Sequence, residues 1–329
     1  MLLRLAAIFF TLIGLPAAAQ CVGESYLNQL SAQDRAELAA AVAEMPYSEG
    51  LLWTATKDDR RVTVVGTMHI YDPRLEDIRA RIQDTVQSAD LIMLEATPED
   101  KKALEQLLIT DPGILFINEG PTLRDLVDDE TWGLIADAAN ARSIPPFMAA
   151  KMQPWYLSVM LSVPPCAMQG MMAGDLGLDL MIMEDAESAG VPMQSLEDVT
   201  TLFDIFNSDP IEDQIDMLRI NLLSPDAQKQ MFVAMLDRYF AGDVGTLWEM
   251  SRFAIMTTPG VDPAEAEDLF AQTEAALLID RNRNWMPVIR DATQMHDEIV
   301  VAVGAAHLIG DDGILQFLDD EGWTLQQMQ

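Results

Sequence analysis

Residues 62–74, VTVVGTMHIYDPR, form an apolar run that stops at Gly66 and then presents His69. The chain has only three histidines, and a second one, His307, lies in a very similar stretch, IVVAVGAAHLIGDD at 299–312. Each stretch has a Gly-x-x-His pattern at the end of an apolar run of strand length. A glycine lets the backbone turn sharply or approach a ligand closely, which suits a strand end that leads into a site. The repeated pattern predicts two related halves of one α/β core.

The residues around the first stretch give a clear order of elements. Residues 51–56 and 61–66 predict two strands joined by a hairpin turn. Residues 75–88 carry apolar side chains at steps of three and four and predict a helix, and DLIMLE at 90–95 predicts a buried strand ending in Glu95. A strand, a helix and a strand in this order predict a right-handed crossover with a parallel pair of strands.

The remaining sequence completes the predicted fold. Residues 24–46 and 176–189 predict helices, and the long segment at about 99–290 is mostly helical in pattern, with one further strand at 191–197. The end of the chain predicts a strand, a short helix and a strand (299–304, 311–322 and 323–328). The fold class is therefore α/β, with a central mixed, largely parallel sheet built from two related halves and a large helical insertion between them. We expect a single domain over residues 20–329.

The N-terminal sequence MLLRLAAIFFTLIGLPAAAQC predicts a cleaved secretory signal peptide over residues 1–19, with an arginine, a short apolar run and a small-residue cleavage site. We therefore expect a periplasmic or secreted protein. In an oxidising compartment the only two cysteines, Cys21 and Cys166, favour one disulfide, and two reduced, buried thiols are the alternative. The chain lacks a C-x-x-C motif, which argues against thiol redox catalysis.

The composition excludes some partners. Twenty basic and 53 acidic residues give a net charge of −33, and loss of Arg4 with the signal peptide makes it −34. Nucleic acids and anionic membrane surfaces require basic patches, so neither is an expected partner once the signal peptide is removed. The expected partner is a peptide or small-molecule substrate. The sequence does not indicate an oligomeric state.

Three residues suited to chemistry fall at the carboxyl ends of predicted strands, namely His69, Glu95 and His307. Ligands of open α/β sheets bind beyond these strand ends, so the three side chains converge if their strands are neighbours. Two imidazoles and a carboxylate can hold manganese, cobalt or zinc and leave a position open for water. The same residues could act without metal, with one histidine as general base and Glu95 orienting it. The alternative without function is that each histidine caps a buried strand.

The segments GTMH at 66–69, IMLE at 92–95, RNRN at 281–284 and GAAH at 304–307 together resemble the TraB/GumN family. That family is similar to the Tiki proteins and to erythromycin esterase-like and ChaN-like proteins, and the resemblance covers nearly all of the chain after the signal peptide. It implies that His69, Glu95 and His307 are metal or catalytic positions. Because Tiki members are regarded as manganese- or cobalt-dependent peptidases, it also implies a metal-dependent hydrolase of peptide or amide bonds.

Arg281 and Asn282 match the family's Arg-Asn element and are further candidates for the catalytic site. A guanidinium and an amide could hold a substrate carboxylate or stabilise developing negative charge, and the alternative is a helix face whose arginines pair with the abundant acids. Lys151 and Trp155 are candidates for lining the pocket, with helix packing as the alternative.

Other hydrolase classes lack their motifs. There is no G-x-S-x-G, which leaves a serine hydrolase unsupported, and no H-E-x-x-H of a zincin. Two alternatives to a metallohydrolase stay open: a metal-free esterase or amidase that uses a His–Glu pair, and a protein that binds a peptide, haem or metal without turnover.

Overall fold

A six-stranded sheet forms the centre of the molecule in the computed structural model, which describes residues 21–220, 222–257 and 262–328. The predicted signal peptide at 1–19 lies outside the described residues. The strands are β1 (Leu52–Lys57), β2 (Arg60–Thr67), β3 (Leu91–Leu94), β4 (Met193–Ser195), β5 (Glu298–Gly304) and β6 (Thr324–Gln327). Their order across the sheet is β4-β3-β5-β2-β1-β6.

The described helices surround this sheet. They are α1 (Ala32–Ala43), α2 (Leu75–Ser88), α3 (Pro98–Thr110), α4 (Leu123–Leu126), α5 (Asp129–Asn140), α6 (Pro146–Ala149), α7 (Pro154–Ser162), α8 (Pro165–Ala173), α9 (Leu178–Ala189), α10 (Thr201–Ser208), α11 (Ile211–Ile220), α12 (Pro225–Ala241), α13 (Val244–Met256), α14 (Pro263–Glu274), α15 (Asp280–Met295) and α16 (Ile314–Asp320). A π-helical turn, Ala275–Ile279, joins α14 to α15, and short 3₁₀ turns span Tyr26–Asn28, Pro112–Ile114 and Ala305–Leu308.

The sheet is mixed and largely parallel, as predicted. The strands β2, β3, β4 and β5 form three parallel pairings, and β1 pairs antiparallel with both β2 and β6. The predicted strand–helix–strand unit gives two parallel strands, β2 and β3, but they are not neighbours, because β5 lies between them and pairs with both. The second Gly-x-x-His stretch therefore lies directly beside the first.

The central strands are buried along almost their whole length. All four residues of β3 and five of the seven in β5 are buried, which explains their continuous apolar sequences. The predicted hairpin of β1 and β2 is confirmed, and Asp58 in its turn adopts a positive φ of 54°, which aspartate tolerates.

The periodic helices agree closely with the sequence pattern. Helix α2 spans 75–88 as predicted and buries Leu75, Ile78, Ile82 and Val86 on one face. The predicted N-terminal helix at 24–46 is shorter in the structure. Ser31 caps α1 by accepting a hydrogen bond from the Asp34 N–H, and Asp34 accepts one in return from the Ser31 N–H. This capping box fixes the start of the helix.

The segment between β3 and β5 contains helices α3–α15 as well as the edge strand β4. Part of it belongs to the main core, because α9 packs against α2 and contacts β5. Another part has a hydrophobic cluster of its own, with buried side chains from α4, α5, α7 and α11 that include Leu123, Ile135, Leu157 and Leu218. The insertion therefore contributes both a wall of the main core and a separate helical layer.

Cys21 and Cys166 form a disulfide with a Cα–Cα distance of 5.4 Å, which confirms the predicted pairing. The bridge closes a loop with a sequence separation of 145 and is compatible with a periplasmic or secreted protein. None of the helices within the described ranges is long and apolar enough to cross a membrane.

Candidate functional site

The carboxyl ends of four neighbouring strands meet at one edge of the sheet. Thr67 at the end of β2 lies opposite Gly304 at the end of β5, and Leu94 at the end of β3 lies opposite Ser195 at the end of β4. The residues that follow these strand ends therefore come together, as the sequence pattern predicted.

The two glycines of the repeated motif lie where backbone segments approach closely. A methyl group added at Gly66 would lie 3.1 Å from the Cα atom of Ala305, and one at Gly304 would lie 3.4 Å from Oε1 of Glu95. The two Gly-x-x-His segments thus pack against each other, and glycine leaves room for that contact.

Glu95 is the central carboxylate of this edge. Its Oε1 atom accepts a hydrogen bond from the Gly304 N–H at 2.8 Å, and its Oε2 atom accepts one from Nη2 of Arg281 at 2.7 Å. Burial by itself would raise the pKa of Glu95. Attraction from the protonated form of His307, from Arg281 and from His69, together with the Gly304 hydrogen bond, instead lowers that pKa to about 2. Of these three side chains, Arg281 and His69 carry a positive charge at neutral pH. Glu95 is therefore ionised.

Arg281, near the start of α15, joins two acidic side chains. Its Nη2 atom lies 2.6 Å from Oε1 of Glu197, and its Nε atom also donates to that carboxylate. Glu197 further accepts a hydrogen bond from Nε1 of Trp285 at 3.0 Å. The side chain of Arg281 is only 6 % exposed, so its donors need partners within the protein. These partners are Glu95, Glu197, His307 and the carbonyl of Leu277.

His307 lies behind this network and is almost fully buried. Its Nδ1 atom lies 2.7 Å from Oδ1 of Asn282, and its Nε2 atom lies 3.2 Å from Nη1 of Arg281. The amide nitrogen of Asn282 donates to the carbonyls of His307 and Asp312, which fixes the side chain of Asn282 itself. Arg281 and Asn282 therefore hold His307 and Glu95 in place.

His69 lies against α9, beside Asp179. Its Nδ1 atom lies 3.3 Å from Oδ1 of Asp179, and solvent reaches 64 % of the histidine side chain. Hydrogen bonding to Asp179 is the largest cause that raises the pKa of His69 to about 9, and the charges of Asp179 and Glu95 add to it. The charge of Arg281 opposes this shift but does not cancel it. His69 is thus a cationic imidazole that remains accessible to a ligand.

A cavity of about 380 Å³ opens beside His69, within the usual size range of small-molecule sites. One end is polar, with His69, Glu95, Asp179 and Glu197. The rest of the wall is mainly apolar and aromatic, with Leu104, Trp155, Tyr156, Val159, Met183, Leu202, Phe203 and Phe206. Trp155 stacks on Phe206 at a centroid distance of 5.3 Å, so the predicted pocket residue Trp155 does line the cavity, whereas Lys151 is exposed and does not.

Oγ1 of Thr67, a buried oxygen atom of the cavity wall, lacks a hydrogen-bond partner among the described residues. Buried polar groups in folded proteins are nearly always hydrogen-bonded, so such atoms in a cavity wall indicate a place for a ligand or water.

Sequence reasoning missed Asp179, Glu197 and Thr67. Glu197 and Thr67 had a usable signal, because each lies at or just beyond the end of a predicted strand, as Glu95 does. Asp179 follows no strand and is brought to His69 by the packing of α9, with the Leu178 N–H donating to the carbonyl of Met68 at 2.9 Å. Only the tertiary structure reveals that residue.

The predicted metal ligands His69, Glu95 and His307 lie in one region but do not offer a shared set of free donor atoms. Both ring nitrogens of His307 face Asn282 or Arg281, and both oxygens of Glu95 accept hydrogen bonds. Within the described ranges, no three or more histidine, cysteine, aspartate or glutamate side chains form a group that could hold a metal ion. The residues as arranged do not fit a metal, and the ligand assignment stays a prediction.

The model of the TraB/PrgY/gumN family matches residues 51–327, from β1 to the last residue of β6. The chain belongs to the TraB/PrgY/gumN family. The match contains both Gly-x-x-His segments, Glu95 and the Arg281–Asn282 pair, so the whole strand-end site lies within the family region. No curated protein matches the chain at a significant level of similarity.

Proposed function

We propose that this member of the TraB/PrgY/gumN family is a hydrolase of amide or ester bonds, peptide bonds included, with His69 as its general base. The observation that carries the proposal is the pair of His69 and Asp179 at the polar end of a largely apolar cavity. A general base needs a partner that orients its ring and stabilises the imidazolium formed during the reaction. Asp179 is placed to do both.

The proposed reaction uses the unprotonated fraction of His69, which grows as the pH rises towards about 9. A water molecule beside the ring gives a proton to Nε2 while its oxygen attacks the carbonyl carbon of the substrate. The hydroxyl of Thr67, which has no hydrogen-bond partner among the described residues, donates to the carbonyl oxygen as negative charge develops on it. The imidazolium then returns its proton to the leaving nitrogen or oxygen. One water molecule is thereby divided between two products.

The buried groups behind His69 support this reaction without leaving their hydrogen bonds. Glu95 stays ionised, and its charge is one of the causes that raise the pKa of His69, so it favours the imidazolium form. Arg281 compensates the two carboxylates of Glu95 and Glu197. The network therefore provides a fixed negative charge near the base.

The cavity wall supports a substrate with a large apolar group. Aromatic side chains of α7 and α10 line the part of the cavity away from the carboxylates, and Trp155 and Phe206 stack in that wall. Such surfaces bind acyl chains or aromatic side chains by removing apolar area from water. We expect substrates that place this group in the aromatic part and the scissile carbonyl beside His69.

Metal-dependent hydrolysis is the function implied by the resemblance to Tiki proteins. A bound divalent metal would acidify a water molecule and polarise the carbonyl. In this arrangement Arg281 and Asn282 face the nitrogens of His307, and Arg281 and Gly304 face the oxygens of Glu95. The proposal is therefore metal-independent, and chelation separates the two mechanisms.

The protein acts in the periplasm or outside the cell in this proposal. Support comes from the Cys21–Cys166 bridge and from the N-terminal sequence pattern. The mass of the exported protein tests this proposed location, since cleavage after Ala19 removes residues 1–19. Full-length mass and a cytoplasmic location would contradict it.

The test of the function is hydrolysis of a panel of acyl esters, N-acyl amino acids and short peptides. We expect turnover by the wild type that survives exhaustive chelation. His69→Ala should lower kcat at least about a hundredfold, because the proton acceptor is lost. His296→Ala is the matched control, since His296 lies at the end of α15, outside the cavity wall.

Three results would contradict the proposal. Activity that chelation abolishes and manganese or cobalt restores would favour the metal-dependent reaction, as would stoichiometric metal uptake that a His69→Ala/His307→Ala double variant loses. Retention of a ligand with no product after long incubation would favour a binding protein.

A further inference from the structure

Lys101 contributes a positive charge to the same cavity, yet it forms no ion pair with any of the described carboxylates, and Asp179 acts on it only from a longer distance. Its only hydrogen bond among the described residues joins Nζ to Sδ of Met183 at 3.6 Å, and none of the described carboxylates lies within 4.0 Å of the ammonium. The side chain is only partly exposed, and burial lowers the pKa of Lys101. In a chain with 53 acidic and 20 basic residues, a half-buried lysine without an ion pair is unexpected.

Hydrogen bonds at the start of α3 hold Lys101 in position. Thr97 and Asp100 form a capping box, and Asp100 also accepts a hydrogen bond from the hydroxyl of Ser195 at the end of β4. This ties the first turn of α3 to the strand-end edge. The Lys101 backbone is therefore fixed relative to Glu95, which lies two residues before Thr97.

The ammonium lies close to the proposed general base. Met183 follows Asp179 by four residues on α9, so the two side chains lie on one face of that helix about one turn, or roughly 5.4 Å, apart. Nζ of Lys101 contacts Met183, and the charge of Asp179 acts on Lys101, so the ammonium lies near the His69–Asp179 pair.

We infer that the cavity binds compounds in which a hydrolysable amide lies between a large apolar group and a free carboxylate, and that Lys101 pairs with this carboxylate. The apolar group occupies the aromatic wall, and the carboxylate lies one residue from the scissile bond. The C-terminal residue of a peptide and an N-acyl amino acid share this chemistry. The inference rests on the proposed function for the position of the scissile bond, but the binding preference can be measured without turnover.

The experiment measures equilibrium binding to the full chain carrying His69→Ala, which removes the proposed base. The probes are N-octanoyl-phenylalanine and its carboxamide, and a tetrapeptide ending in phenylalanine with its carboxamide. We expect each acid, or one of the two, to bind about tenfold to a hundredfold more tightly than its amide, because a charge-assisted hydrogen bond is lost in the amide. If only one of the two acids binds more tightly than its amide, that acid shows whether the cavity prefers an N-acyl amino acid or the C-terminus of a peptide.

Substitution then assigns the preference to Lys101. Adding Lys101→Ala should reduce the ratio of acid to amide affinity to about one, and Lys101→Arg should retain most of it. Lys102→Ala is the matched control, since Lys102 is the adjacent, exposed lysine on the same helix, and it should leave the ratio unchanged.

The inference is overturned if acid and amide bind equally in both pairs, if neither pair binds, or if Lys102→Ala has the same effect as Lys101→Ala. A carboxylate preference that depends on Lys101, in a protein whose wild type hydrolyses none of the substrates, would support the inference and reject the proposed function. The two failures are therefore distinguishable.

Discussion

Oδ1 of Asn282 lies 2.7 Å from Nδ1 of His307, and this contact determines the protonation of the histidine. The other ring nitrogen, Nε2, faces Nη1 of Arg281 at 3.2 Å. A guanidinium can only donate, so Nε2 must accept, and the single ring proton must lie on Nδ1, where Asn282 accepts it. His307 is therefore a neutral imidazole that orients Arg281.

The first prediction concerns stability against pH. Burial is the largest cause that lowers the pKa of His307 from 6.5 to about 3, although Glu95 opposes it. As the pH falls through 6.5, the unfolded chain takes up a proton at this residue and the folded chain does not. The free energy of unfolding should therefore decrease between about pH 6.5 and pH 3. Between pH 6 and pH 5 the wild type should lose about 1 kcal/mol more than His307→Asn.

Urea unfolding at a series of pH values measures this difference. His296→Asn is the control, because it removes a histidine outside the Arg281 network. Parallel pH curves for the wild type and His307→Asn would contradict the neutral, buried state of His307.

The second prediction concerns activity against pH. The base form of His69 increases as the pH rises towards about 9, so kcat/KM should rise about tenfold per pH unit between pH 6 and pH 8. Asp179→Asn removes the largest cause of the raised pKa. The rising limb should then move to lower pH, while the maximal rate falls about a hundredfold or more because the ring loses its orientation.

The pH–rate profiles of both proteins provide the measurement. Glu184→Gln changes an exposed carboxylate of the same helix and should keep the wild-type profile. If the rising limb of the pH–rate profile lies at the same pH in Asp179→Asn as in the wild type, Asp179 is not the partner of the base.

The third prediction concerns the buried ion pairs of Arg281. Arg281→Ala leaves Glu95 and Glu197 without their cation, so the free energy of unfolding should fall by about 3–5 kcal/mol. Arg283→Ala is a matched control two residues away, where the side chain is 58 % exposed and pairs with Asp312. That change should cost less than about 1 kcal/mol. Equal losses in the two variants, measured by denaturant unfolding, would contradict a structural role for the Arg281 network.

The fourth prediction concerns the contact between α9 and the His69 loop. A methyl group at Gly177 would lie 2.4 Å from the carbonyl oxygen of His69, so Gly177→Ala should displace the loop and destabilise the protein by about 1–3 kcal/mol. It should also lower kcat, since His69 moves relative to Asp179. Gly133→Ala on α5 meets no atom of the described residues and should be neutral or slightly stabilising. Thermal unfolding and turnover of the two variants separate these expectations.

The fifth prediction concerns the disulfide. Closing a loop with a sequence separation of 145 stabilises the folded state by about 5 kcal/mol in the chain-entropy model. Cys21→Ser with Cys166→Ser should therefore lower the free energy of unfolding by up to about that amount. Treatment of the wild type with reductant should have a similar effect and leave the double variant unchanged. A wild type whose free energy of unfolding does not change on treatment with reductant would contradict this expectation.

The sequence predicted the parts of the fold that depend on local pattern. The apolar steps of α2 and the hairpin of β1 and β2 are short-range features, and both are confirmed. The position of β5 between β2 and β3 could not be predicted, because β5 comes about 200 residues after β3 in the chain. Parallel pairing over such separations leaves no local signal.

The arrangement of the strand-end residues was likewise predictable only where it follows from the local sequence pattern. The rule that ligands bind at strand ends predicted that His69, Glu95 and His307 lie at one edge of the sheet, and the same rule applied to 191–197 would have added Glu197 to that edge. The protonation of His307 could not be predicted, because it depends on Arg281 and Asn282 from another helix. The partner of His69 likewise depends on the packing of α9.

The position of β5 at the middle of the sheet affects how the polypeptide folds. Residues 298–304 must insert between β2 and β3, which are already joined to each other by α2. Until then each of these two strands has one unsatisfied row of backbone donors and acceptors, which is a template for pairing with other chains. Because β5 lies about 200 residues beyond β3, the polypeptide passes through a stage that is sensitive to aggregation before β5 is inserted. A chaperone that covers the open edges of β2 and β3 would prevent their pairing with other chains during this stage.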